Sequence, residues 1–183
     1  MTDRDVPGRE AAAVPPPAPA DLDAFDRRIL AEVQVDARRS AASIGERIGL
    51  SATAVQRRLQ RLRDSGTIVA EAAVVDPARV GLPVTVVVLV DVERETGDDL
   101  DAFVARMRVH PEVRQCWYVT GETDYVLVID VPDMLAYEAF TRRALVDAGN
   151  VRRFTSLVSL GEIVRGPAVR VWPDATARPE PLR

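Results

Sequence analysis

Residues Cys116 to Tyr137 read CWYVTGETDYVLVIDVPDMLAY, and the interpretation of this stretch decides the fold. Two apolar runs flank the turn Gly121-Glu122-Thr123-Asp124, and Val131-Pro132-Asp133 then leads into a helical pattern. Gly and Asp between apolar runs are turn chemistry, so the spacing predicts a β-hairpin that feeds a helix. The run Tyr125 to Val131 has no polar residue before Asp130. Such a run is expected of a strand covered on both faces. The domain's own helices can cover one face, and a second copy of the chain is the expected cover for the other.

On either side of the hairpin the pattern is regular. Val84 to Val92 is β-branched and strand-like, and Leu100, Phe103, Val104 and Met107 mark a helix that Pro111 stops. The hairpin strands are placed at Arg114–Thr120 and Asp124–Val131. Asp133 can cap a second helix carrying Tyr137, Phe140, Ala144 and Leu145. Phe154, Ser156, Val158 and Leu160 alternate along a last strand. The order βαββαβ is a ferredoxin-like split arrangement, with both helices on one face of a four-stranded antiparallel sheet. The other face is left bare and apolar, which calls for a partner.

Upstream, Asp23 can cap a helix with Asp26 in its first turn, and Phe25, Ile29, Leu30 and Val33 share one face. Ser40 caps a second helix, with Ala41, Ile44 and Ile48 aligned and Gly49 placed for a left-handed end. Gly45 inside it points to close packing. Ser51 caps a third helix reaching about Asp64, with Val55, Leu59 and Leu62 inward. Three short helices with a tight turn between the last two form the helix-turn-helix pattern, so the chain is expected to be α+β. Ile68 to Val75 is expected to be a short strand, and 76–83 a turn-rich hinge. The expected divisions are a helix-turn-helix domain over 21–66, a linker over 67–83 and the βαββαβ domain over 84–171. Residues 1–20 hold five of the thirteen prolines and read as a disordered arm, with 172–183 as a flexible tail.

The chain has 183 residues, 47% hydrophobic and 28% charged, which suits one ordinary domain or two small ones with a real core. No run reaches the ~18 to 20 apolar residues of a membrane span, and the N-terminus lacks a charged start followed by an apolar core. A cytoplasmic protein without a membrane partner is expected. One cysteine, Cys116, and one histidine, His110, leave no internal disulfide and argue against a zinc cluster. Cys116 is expected as a buried strand thiol and His110 as a surface or capping residue. The aromatic residues Trp117, Tyr118, Tyr125 and Tyr137 are read as core and interface, with Tyr118 or Tyr125 able to line a pocket. No cofactor or metal is expected, and no nucleophile or phosphate loop marks the chain as an enzyme.

All 24 basic residues are arginine, and the net charge is −4. Between Asp36 and Asp64, however, seven arginines face three acids. That segment is +4 and the remainder −8, so a small basic module is joined to an acidic body. On the third helix, at ~100° per residue, Thr53, Arg57, Gln60 and Asp64 point away from the core stripe, flanked by Gln56 and Arg61. Arg can fork onto guanine, Gln can pair with adenine, and Thr can meet a base edge or thymine methyl. Arg38, Arg39, Arg58 and Arg63 are better placed for phosphates. A solvated arginine face is the plain alternative. The three capped helices together with the local basicity favour double-stranded DNA, with Ser51, Thr53, Gln56, Arg57, Arg58, Gln60, Arg61, Arg38 and Arg39 as the candidate contacts.

Several quoted motifs resemble the Lrp/AsnC (feast/famine, leucine-responsive) family of bacterial transcription regulators over 21–171. They are Leu22-Asp23 with Asp26 and Ile29-Leu30, then Ile48-Gly49-Leu50-Ser51 with Arg58 and Arg61-Leu62. Val119-Thr120-Gly121-Glu122-Thr123-Asp124-Tyr125 and Val131-Pro132-Asp133 complete the set. The chain departs from the common pattern at Glu122, where aspartate is usual, and at Ala52, where proline often opens the recognition helix. The resemblance implies a C-terminal domain that dimerises through its sheet, and dimers that assemble into octameric or larger rings. It also implies a small effector, usually an amino acid, beside the Gly-Asp loop.

An amino acid needs acceptors for its ammonium and donors for its carboxylate. Glu122 and Asp124 can accept, while Thr120, Thr123 and the backbone N–H groups around Gly121 can donate. The same loop also suits a plain hairpin turn in which Gly121 takes a positive φ and Asp124 bonds the backbone. The resemblance points to Thr120, Gly121, Glu122, Thr123, Asp124 and Tyr125 as the effector loop, with Thr155 and Ser159 on the last strand as lesser candidates. The expected function is a DNA-binding regulator modulated by a metabolite. An effector-independent architectural DNA-binding protein is the first alternative, and a haem-biosynthesis decarboxylase on the same scaffold is the second, against which the lone His110 counts.

Overall fold

The computed structural model describes residues 20–147 and 149–162. The expected tail over 172–183, and all of the expected N-terminal arm except Ala20, lie outside the described residues. The chain divides into two compact units that meet in sequence between Ala73 and Val74.

The first unit is a three-helix cluster of α1 (Ala24–Val35), α2 (Ala41–Ile48) and α3 (Ala52–Asp64). Each start is set by its cap: Asp23 accepts from the Asp26 N–H, Ser40 from Ser43 and Ser51 from Ala54. Asp23 and Asp26 form a full capping box. The inward stripes meet in a core of Ile29, Leu30, Ile44, Ile48, Val55, Leu59 and Leu62. Gly49 ends α2 in the left-handed region at φ 78°. Gly45 lies against the turn that follows, where a Cβ would come within 2.3 Å of the Leu50 carbonyl oxygen. The turn therefore needs glycine at that position.

The strand expected at Ile68–Val75 does not form. The Ile68 N–H bonds to the Leu62 carbonyl, and its side chain packs on the helical core. Arg63 forks onto Glu71, and Val69, Val74 and Val75 are exposed. β-branched residues favour an extended backbone, but a strand also needs a neighbouring ladder. Among the described residues no segment pairs here. Asp76 then caps a single 3-10 turn, Pro77–Val80.

The second unit follows the expected βαββαβ order: β1 (Val84–Val92), α4 (Gly97–Val109), β2 (Val113–Tyr118), β3 (Tyr125–Val131), α5 (Met134–Thr141) and β4 (Val151–Val158). The sheet order is β2-β3-β1-β4, with every neighbouring pair antiparallel. This is the ferredoxin-like α+β architecture read from the sequence. Val86, Val88, Val90 and Val92 of β1 and Tyr125, Leu127, Ile129 and Val131 of β3 share a core with Phe103, Met107, Tyr137 and Phe140 from the helices. α5 runs on into a π-helical turn, Arg142–Val146, which turns Ala144 and Leu145 inward. Phe154 packs on the core and Ser156 meets the Tyr137 hydroxyl. The last strand ends at Val158, and Leu160 lies beyond it, fully exposed.

The opposite sheet face carries Val87 and Leu89 beside Val126, Val128 and Leu157, with Trp117 half exposed at the β2 edge. Ion pairs border it, among them Arg153 to Asp91 at 2.7 Å and Arg114 to Asp130 at 3.2 Å. Cys116 is exposed rather than buried, because β2 is an edge strand. Desolvation still raises its thiol pKa. His110 does hold the capping position of α4, but its ring lies edge-on against Phe140 instead of at the surface.

Candidate nucleic-acid interface and effector loop

α3 presents two different surfaces. Val55, Leu59 and Leu62 are buried, while Thr53, Gln56, Arg57, Gln60 and Arg61 are exposed. The helical phase fixed by the core stripe therefore places the expected reading residues outward. Gln60 bonds to Asp64 at 2.7 Å, and the Ser51 hydroxyl is engaged as the helix cap. Arg57 lines a shallow surface hollow with Asp23, Arg58 and Arg61.

The arginines of the basic segment differ in their partners. Arg58 donates to Asp23 at 2.6 Å and to Asp26 at 2.8 Å, and its guanidinium lies over the Phe25 ring. The hydrogen bond to Asp23, followed by that to Asp26, raises the Arg58 pKa. Asp23 is held below its usual range, chiefly by the Asp26 N–H. Arg61 donates to the other oxygen of Asp26. Arg39 and Arg47 both pair with Glu32, and Arg63 pairs with Glu71. Arg38, almost fully exposed, lies 3.9 Å from Asp36. Arg57 alone among these seven has no carboxylate partner among the described residues. The sequence places Asp26 only in the first turn of α1 and gives no local sign that this residue, 0% exposed, receives two arginines of α3.

In the loop after β2, Thr120, Gly121 and Glu122 are exposed and Thr123 is half-buried. Gly121 takes φ 142°, a region that favours glycine. Asp124 is buried. One of its carboxylate oxygens accepts from the Val92 N–H at 2.9 Å, and its own N–H donates to Val90 O. The Thr123 hydroxyl donates to the same carbonyl. Tyr125 is buried, stacked on Phe103 at 4.3 Å and tilted against Tyr118 at 5.1 Å. Burial foremost, then Tyr118, pushes its phenol up to about 12. Thr155 on β4 pairs in register with Leu89 and is exposed on the open sheet face. The loop thus offers an exposed Thr-Gly-Glu tip on an anchored Thr-Asp base. Among the described residues no group of His, Cys, Asp or Glu is placed to hold a metal, and no helix is long and apolar enough to cross a membrane.

A capped recognition helix with an outward polar face, in a chain that also carries a ferredoxin-like unit, defines a helix-turn-helix regulator. Residues 22–63 match the AsnC-type helix-turn-helix domain and residues 85–169 the Lrp/AsnC ligand binding domain, so the chain belongs to the Lrp/AsnC family of transcriptional regulators. It is 39% identical over 143 residues to an uncharacterized HTH-type transcriptional regulator of Sinorhizobium fredii, covering 78% of this chain and 85% of that one. It is 32% identical over 142 residues to the DNA-binding transcriptional activator DecR of Escherichia coli, covering 78% and 93%. Among solved structures it is similar to a transcriptional regulator of Neisseria meningitidis in complex with L-Met. That match has a TM-score of 0.76 and 33% identity, covering 81% of this chain and 96% of the other.

Proposed function

We propose that the chain is a one-component regulator that reads a pseudo-palindromic operator through α3 and adjusts that reading to a small metabolite, an amino acid, held at the Thr120–Tyr125 loop. It acts by binding and not by catalysis. The observation that carries the reading is the outward face of α3, where Thr53, Gln56, Arg57 and Gln60 are all exposed. Those side chains are suited to base edges in a major groove, and Arg38 at the surface is suited to phosphate.

A single three-helix module makes few contacts, so two copies spaced one helical turn apart are needed for useful affinity. The apolar sheet face around Val87, Leu89 and Val128 supports dimerisation of the βαββαβ domain, with dimers assembling further to an octamer or larger. On this reading 21–66 is the DNA-binding domain, 67–83 the linker and 84–171 the assembly and sensing domain.

Because the Asp124 carboxylate binds Val92, Glu122 is the better acceptor for an effector ammonium, with Thr120 beside it for the carboxylate. The L-Met complex of the Neisseria relative supports an amino acid as the class of ligand. An effector works only by favouring one assembly over another. The anchoring of Thr123 and Asp124 to β1 also favours a second reading, in which the loop is purely structural and the protein binds DNA without an effector.

The test is fluorescence anisotropy with the DNA upstream of the chain's own gene against a random duplex, across a salt series and with each amino acid in turn, with mass measured in parallel. Preference for the upstream DNA, a steep salt dependence and a shift in affinity or mass with one amino acid are expected. A flat salt dependence would remove the DNA role. No response to any amino acid would leave the effector-independent reading.

A further inference from the structure

We propose that Asp26 is a positioning residue for DNA recognition, holding Arg58 and Arg61 against α1 so that two of the cations of α3 are kept off the DNA backbone. The inference rests on the DNA-reading assignment above and refines it: Arg57 reads, and its two arginine neighbours are restrained.

The geometry is specific. The Asp26 carboxylate is wholly buried in the first turn of α1. One oxygen accepts from Arg58 at 2.8 Å, and the other accepts from Arg61 and from the Asp23 N–H. Arg58 is fixed again by Asp23 at 2.6 Å and by the Phe25 ring beneath it. A buried carboxylate is costly unless it is fully paired, so losing either arginine would leave one of its oxygens without a charged donor in a desolvated place. Arg58 is largely covered and held by two carboxylates, and Arg61, its side chain 55% exposed, is tied to the buried Asp26 carboxylate, whereas Arg57, on the same hollow, has no carboxylate partner among the described residues.

The restraint has a consequence for selectivity. Phosphate contacts add affinity for every sequence equally, while base contacts discriminate. A recognition helix with Arg57, Arg58 and Arg61 all free would bind any duplex well, and a regulator depends on the ratio between operator and bulk DNA. Asp26 and Asp23 together balance two of the three charges, which lowers the sequence-independent part of binding and leaves the discriminating part.

The experiment compares full-length protein with Asp26→Asn by anisotropy on operator and random duplexes over a salt series. With Asp26 neutral, Arg61 loses its carboxylate while Asp23 still holds Arg58, so random-duplex binding should tighten, the operator preference should narrow and the log–log salt slope should steepen by about one unit, ~0.9 for the phosphate newly neutralised. The double variant Asp26→Asn/Arg61→Gln should lose that added slope. A merely structural role would weaken both duplexes together without steepening the slope, and that result overturns the proposal. Should Asp26→Asn fail to fold, arginine side-chain NMR of the wild type decides: Arg57 should move on adding operator DNA while Arg58 and Arg61 stay in place. Equal movement of all three overturns the proposal. Absence of any wild-type binding to DNA at low salt would instead remove the DNA-reading assignment itself.

Discussion

Asp124 and Val92, 32 positions apart in the chain, are joined by a 2.9 Å hydrogen bond in which the buried carboxylate accepts from the backbone N–H at the end of β1. The ladder between β1 and β3 ends at the Val90–Tyr125 pair, so on that side the Val92 N–H is met by a side-chain acceptor instead of a strand carbonyl. Replacing Asp124 by alanine would leave that buried donor unpaired, at a cost of ~1 to 3 kcal/mol. Asp124→Asn keeps an acceptor oxygen and should recover most of the loss. Urea unfolding of the two variants checks this, and equal destabilisation by both would show that charge, not the hydrogen bond, is what matters.

Gly45→Ala tests two opposing effects. Helix propensity alone favours alanine by ~1 kcal/mol, but the new Cβ would meet the Leu50 carbonyl oxygen at 2.3 Å. That contact is with backbone and cannot be relieved by a rotamer change. Overpacking should therefore win, lowering stability by ~1 to 3 kcal/mol. A thermal melt at or above the wild-type midpoint would contradict the close approach.

Arg57→Ala should leave folding intact, since the side chain is exposed and makes no ion pair among the described residues. Operator binding should weaken by ~1 to 3 kcal/mol, the value of one good bidentate base contact. Footprinting checks the assignment, and an unchanged protected region at unchanged affinity would remove Arg57 from the reading face.

Tyr125 gives a pH dependence with a definite sign. Its phenol is raised from 10.0 to about 12 in the folded chain, so the folded state keeps a proton that the unfolded state releases. The stabilising share is complete below pH 10 and is lost as the pH rises through about 12. Phenolate absorbance should show a late-titrating tyrosine that disappears in Tyr125→Phe. The same variant should flatten the alkaline fall in stability.

What the sequence made legible was local. Ser40, Ser51 and Asp133 act on a backbone N–H three residues ahead, and Gly49 ends its own helix, so each was visible in a short window. The outward phase of α3 followed from Val55, Leu59 and Leu62 in the same way. What stayed hidden depends on distant partners. Asp26 looked like a first-turn acid because Arg58 and Arg61 lie 32 and 35 positions away. Ile68–Val75 has β-branched residues but no ladder to join, and ladders are not local. Cys116 is exposed only because β2 falls at the sheet edge, a fact of strand order. The π-helical turn at Arg142–Val146 adds one residue to a helical phase that otherwise reads as regular.

The tight approach of Gly45 to Leu50 has an evolutionary side. It fixes how α3 leaves the turn without using any side chain on the exposed face of that helix. Substitutions at Thr53, Gln56, Arg57 or Gln60 can thus accumulate without re-aiming the helix, and a duplicated copy of this gene could acquire new targets through a few surface changes while its scaffold stays the same.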